Sequence, residues 1–289
     1  MISTKNILAL MPEKTIDAKL TSYLDFLASK VTVDSINCFH VFTAAHLIKE
    51  LNVAPEKHGD KIIEQMQEDM GKEIANQFQY ISDKKTEVVY GTLVSEVMKK
   101  VNQDGFGLVA LGEHDDRDTL IAKQFIRYVP GNFLFVPEKA NENIEHILVP
   151  IDLSEHSAKV LQASIQFKKS LNSDAKITVY HSYVMPIMPS YNFLQSNYEF
   201  SSVMKENASV KLQQFVTENI GEHKDDINEI VLDEIVSRPD TAILKYAEKN
   251  NIDLLVMGTK GHSMLDGWLG STIERVIEEN DQIPLLVIK

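Results

Sequence analysis

Ile252-Asp253-Leu254-Leu255-Val256-Met257-Gly258 is a short apolar run closed by a glycine, and the chain has used the pattern before, as Phe106-Gly107-Leu108-Val109-Ala110-Leu111-Gly112. A second pair of runs opens each half: Asn6-Ile7-Leu8-Ala9-Leu10 and His146-Ile147-Leu148-Val149-Pro150. A third pair closes each half: Phe133-Leu134-Phe135-Val136 and Pro284-Leu285-Leu286-Val287-Ile288. A period this long marks a duplicated domain rather than a solenoid. The halves are assigned to 1–140 and 141–289, with the polar stretch Glu138-Lys139-Ala140-Asn141-Glu142-Asn143 as the connection.

In the second half, runs rich in Ile, Val and Leu predict strands near 146–151, 176–182, 229–235, 252–257 and 284–288. Continuous apolar runs of this length suit strands buried on both faces of a parallel sheet. Helical spacing marks the segments between them: Ala158, Leu161 and Ile165; then Val203, Val210, Leu212, Phe215 and Val216; then Ile243, Leu244 and Ala247. The expected fold is α/β: two tandem doubly wound domains, each a five-stranded parallel sheet flanked by helices. In such sheets ligands sit beyond the carboxyl ends of the strands, where the strand order reverses.

A chain of 289 residues, 44% hydrophobic and 25% charged, can bury two cores. Its formal net charge of −13 argues against a nucleic-acid partner, which needs a basic face. It leaves room for a small anionic ligand, because backbone N–H groups hold phosphate without net positive charge. With one cysteine, Cys38, there is no intrachain disulfide. The opening apolar run is short for a signal peptide and no stretch reaches transmembrane length, so the expectation is a cytoplasmic protein without membrane partners. Cys38, His40 and His46 alone would leave a zinc site short of a ligand, and no metal site is assigned.

The chemistry lies after the fourth strand of the second half, in Gly258-Thr259-Lys260-Gly261-His262-Ser263-Met264-Leu265-Asp266-Gly267-Trp268-Leu269-Gly270-Ser271-Thr272. Glycines after a buried strand let the backbone turn and approach a ligand. A helix opening at Gly270-Ser271 offers free N–H groups to an anion. Together they make a phosphate cradle. Plainer roles are also open: Gly258 and Gly261 as turn glycines, Ser271 with Glu274 as a capping box, Asp152 as a carboxylate at a helix start, His181 as a packed strand-end ring.

This pattern, with Val149-Pro150-Ile151-Asp152 and Ser154-Glu155 on the opening strand, resembles the universal stress protein family, whose loop reads Gly-x2-Gly-x9-Gly-Ser/Thr. The resemblance spans the chain as a duplicated fold and is sharper in 146–289 than in 1–140. It implies a stress-associated protein that binds ATP or a related adenine nucleotide, with or without magnesium. Asp152 would meet the adenine end, with His181 and Ser182 near the base. Pro150, Met257 and Gly258 would line the ribose. Gly261, Gly270, Ser271 and Thr272 would take the phosphates. This chain departs from the pattern twice: eight residues separate Gly261 from Gly270, one fewer than in the family, and Ser237-Arg238-Pro239 stands where a glycine often leads.

The first half lacks the cradle. Its matching segment, Gly112-Glu113-His114-Asp115-Asp116-Arg117-Asp118-Thr119, has no second glycine in place and four acidic residues where phosphates would sit. Pro12 aligns with Asp152. The expectation is one nucleotide-binding copy and one structural or partner-binding copy. Two other functions stay open: a nucleotide-free interaction scaffold, and a slow ATPase, weak because Gly-x4-Gly-Lys-Ser/Thr is missing. Residues 133–136 and 284–288 would pair within the chain as a pseudo-dimer, with a homodimer of whole chains also open.

Overall fold

The computed structural model describes the chain apart from residues 1, 13–16, 43–54, 114–115, 172–173, 185–193, 236–237 and 260–268. In the first half, β1 (Asn6–Leu10), β2 (Ser35–Phe42), β3 (Asp83–Tyr90), β4 (Leu108–Glu113) and β5 (Asn132–Pro137) alternate with α1 (Ala18–Lys30), α2 (Pro55–Ile74), α3 (Leu93–Asp104) and α4 (Asp116–Tyr128). The second half repeats the plan with β6 (His146–Pro150), α5 (Glu155–Ser170), β7 (Lys176–Val184), α6 (Leu194–Ile220), β8 (Glu229–Ile235), α7 (Pro239–Lys249), β9 (Leu254–Gly258), α8 (Ser271–Glu279) and β10 (Leu285–Ile288).

The strands form one sheet in the order β3-β2-β1-β4-β5-β10-β9-β6-β7-β8. Each half is therefore wound outward in both directions from its first strand, and all pairs within a half are parallel. The halves meet where β5 and β10 run antiparallel, with Leu285 opposite Phe135 and Val287 opposite Phe133. Order reverses between β1 and β4, and again between β6 and β9.

Side-chain alternation explains the unbroken apolar runs. Ile7, Ala9, Val149, Val256 and Leu286 face one core, packed by α1, α5 and α6. Leu8, Leu10, Leu148, Leu255 and Val287 face the other, packed by α3, α4, α7 and α8. Both cores run across the β5–β10 seam. The connection after β5 is itself docked: Ala140 and Ile144 are buried, and Asn143 donates to Asp253 at 3.3 Å. Val203 and Val210, expected as core markers of α6, are instead 53% and 56% exposed. Among the described side chains of that helix, its carboxyl-terminal part presses Leu212, Phe215, Val216 and Ile220 into the sheet.

Local signals set the helix starts. Asp17 caps α1 by accepting from the Leu20 N–H at 2.8 Å, and Ser154 caps α5 by accepting from the Ser157 N–H at 3.1 Å. Pro239 opens α7, and Gly105 closes α3 in the left-handed region at φ 68°.

Candidate functional site

Beyond the carboxyl ends of β6 and β9, at the second reversal of strand order, lies a cavity of about 410 Å³. Pro150, Asp152, Ser182, Met257, Gly258, Gly270, Ser271 and Thr272, chosen from sequence, all line it; Gly261 lies outside the described residues. Its apolar wall is built from Ile151, Tyr180, Pro239, Ile243 and Met257. The size lies within the range of small-ligand sites.

The polar groups sit around that wall. β6 ends in a turn with Leu153 at φ 62°, and the Ser154 N–H donates to Asp152 Oδ1 at 3.1 Å. One carboxylate oxygen thus fixes the turn that brings Asp152 to the rim. On β7, His181 Nδ1 donates to the Ile151 carbonyl at 2.8 Å, so this ring is both pinned to the strand end and part of the lining. The Tyr180 hydroxyl donates to Asp233 at 2.9 Å, and its ring packs on Tyr246 with centroids 5.1 Å apart.

Gly258 has a reason beyond its turn. A Cβ there would meet His156 Cδ2 at 2.6 Å and Nε2 at 2.7 Å. The missing side chain lets the His156 ring lie against β9 and accept from the Thr259 N–H at 3.2 Å. The Thr259 hydroxyl, on a residue only 4% exposed, has no hydrogen-bond partner among the described residues. A buried hydroxyl without a partner is costly, and this one belongs to the cavity lining.

The far end is the start of α8. Its N-cap is Gly270, whose N–H donates to the Thr259 carbonyl at 3.0 Å and whose carbonyl accepts from Glu274 at 3.1 Å. This corrects the capping-box reading. Ser271 is already inside the helix, makes no side-chain cap bond, and the Glu274 carboxylate turns to Arg127 of α4. The first turn therefore keeps its N–H groups aimed at the cavity end of the helix. Its outer flank is braced by Asp240, 1% exposed, which accepts from Arg238 Nε at 3.1 Å and faces Arg275 at 3.8 Å.

His156, Thr259, Tyr180, Pro239 and Ile243 are lining residues to which no ligand role was assigned from sequence. Thr259 had a usable signal, standing directly after the strand-end glycine. The others look like ordinary strand and helix residues.

The corresponding place in the first half differs. Glu113 stands where Thr259 does, since Leu108 pairs with Ile7 as Leu254 pairs with Ile147, and each lies five residues further on. Only residues 114–115 separate β4 from α4, against 259–270 between β9 and α8. Glu113 is 9% exposed and neither carboxyl oxygen has a partner among the described residues. Burial, and secondarily the charge of Asp118, pushes its pKa up to about 8. So this carboxyl is held neutral near pH 7 and adds no repulsive charge, unlike the four-acid reading. Asp115 lies outside the described residues. Among the described residues no group of three His, Cys, Asp or Glu is placed to hold a metal. Burial pushes the Cys38 thiol up to about 12, and His40 Nδ1 donates to the Met11 carbonyl at 3.1 Å. That bond repeats the His181–Ile151 bond of the second half.

The sequence profile of the universal stress protein family matches residues 143–289. The chain belongs to the universal stress protein family. A universal stress protein of Methanocaldococcus jannaschii is 32% identical over 152 residues, which cover 51% of this chain and 84% of that protein. The whole fold has neighbours among solved structures. A universal stress protein of Archaeoglobus fulgidus aligns with a TM-score of 0.63 at 18% identity, over 98% of this chain and 96% of that one. A functionally unknown protein of Pseudomonas aeruginosa aligns at 0.66 and 15% identity, over 99% and 93%. The fold is thus shared with these solved structures along nearly the full chain. No helix among the described residues is long and apolar enough to cross a membrane.

Proposed function

We propose that the second half, 141–289, binds ATP or a related adenine nucleotide in the cavity between β6 and β9, and that occupancy sets a regulatory state of a stress-associated, cytoplasmic protein. The observation that carries the reading is the pairing of an apolar slot with a helix start. Tyr180, Ile243, Pro239 and Met257 offer a base-sized wall, while the N–H groups of Ser271 and Thr272 face the opposite end. Asp152, at the rim, has an oxygen not used by its own turn and can accept from an exocyclic amine or a ribose hydroxyl. The buried Thr259 hydroxyl would gain a phosphate or ribose oxygen as its partner. Pro150, Ser182, Gly258, Gly261 and Gly270 complete the proposed contacts.

Magnesium, where it accompanies the nucleotide, would be held mainly by the phosphates. The site is proposed for binding rather than turnover, since the phosphate-binding lysine of a P-loop is missing. The first half, 1–140, would be the silent copy, joined to the second as a pseudo-dimer across β5 and β10. Fluorescence titration with an ATP analogue labelled on the ribose tests the reading. Gly270→Asp places a carboxylate at the start of α8 and should weaken binding by at least about tenfold, with the fold retained by circular dichroism. Undiminished binding by a folded Gly270→Asp protein would place the ligand elsewhere.

A further inference from the structure

Among the described residues, three ion pairs between side chains cross from one half to the other with the same polarity. Lys123 and Arg127 of α4 reach Glu278 and Glu274 of α8, and Lys139, just past β5, reaches Asp281. The bases belong to the first half and the acids to the second. Glu274 is the acidic residue of the first turn of α8, the turn that closes the cavity.

In an empty site a carboxylate there suits the helix dipole. Beside a nucleotide's phosphates it is a like charge, in a chain whose formal net charge is already −13. Arg127 removes that conflict from across the seam. The Glu274 side chain is 27% exposed and Arg127 43%, so solvent screens the pair and its effect is moderate.

We propose that Arg127 is a positioning residue for the second half's phosphate end: by pairing with Glu274 it cancels the carboxylate charge in the first turn of α8, while Lys123 holds the last turn. The half without a cradle thereby tunes the affinity of the half that has one. Coupling of this kind is reciprocal, so a bound polyphosphate would tighten the seam between the halves. The inference rests on the nucleotide reading of the cavity and adds to it a charge-specific role for the opposite half.

The test compares ATP with adenosine by equilibrium dialysis into the full-length protein. Arg127→Ala should weaken ATP binding roughly two- to fivefold, the range of one screened ion pair, and leave adenosine unchanged. Adding Glu274→Gln to Arg127→Ala should restore ATP affinity, because the uncompensated charge is gone. A merely structural role would lower both ligands together and would not be rescued. If Arg127→Ala changes ATP and adenosine equally, or neither, the positioning role is wrong and the cavity reading stands. If the wild-type protein binds neither ligand, both fall.

Discussion

Glu113 shows what one substitution between the repeats has done. Where the second half presents a hydroxyl to its cavity, the first half buries a carboxylic acid. Unfolded, that group ionises near its ordinary 4.5; folded, near 8. Between these values the unfolded chain has shed a proton that the folded chain keeps, so Glu113 favours folding below pH 4.5 and progressively loses that contribution as pH rises through 8. Urea denaturation at several pH values from 5 to 8 should show wild type losing a few kcal/mol relative to Glu113→Gln. Equal pH slopes for the two proteins would show that the group is not held neutral. The identity of Glu113 was plain in the sequence, but its burial was not. An acid in an acidic run reads as solvated, and only the short β4–α4 connection, with α4 starting at Asp116, puts it inside.

Among the elements, α8 does the most with the fewest residues. Its sequence, with Ser271 and Glu274, spells a capping box, yet the N-cap is one residue earlier, at Gly270, and Glu274 is drawn away by an arginine 147 positions distant. Local spacing cannot report a competitor so remote. Gly258 and Gly270 were legible because a strand-end turn and a helix opening are local requirements. The bracing of α7 against α8 by Asp240 was not. Burial alone would raise the pKa of that carboxyl, but Arg238, with Arg275 beside it, holds it below the usual carboxylate range. Its contribution is present above the ordinary carboxylate pKa and fades as pH falls through the lowered one. Asp240→Asn should cost on the order of 1–3 kcal/mol at pH 7 in denaturant titration, with the deficit closing toward pH 3. A deficit independent of pH would mean that packing, not the ion pair, makes the residue matter.

At the scale of the molecule, ten strands among the described residues share one sheet, two cores cross the seam, and the repeated switch points have diverged. The strand plan could be read from apolar runs such as Leu254–Met257 because burial on both faces leaves no polar alternation to blur them. The seam's charge pattern could not, since Lys123 and Glu278 meet only after both halves have folded and docked. Under the proposed function the duplication is asymmetric: one half binds and the other supports it. Calorimetric titration of ATP into full-length protein stripped of bound nucleotide tests this most directly, because it counts sites. One site per chain is the predicted result. Two sites would contradict the silent first half, and none, in folded protein, would contradict the nucleotide-binding second half.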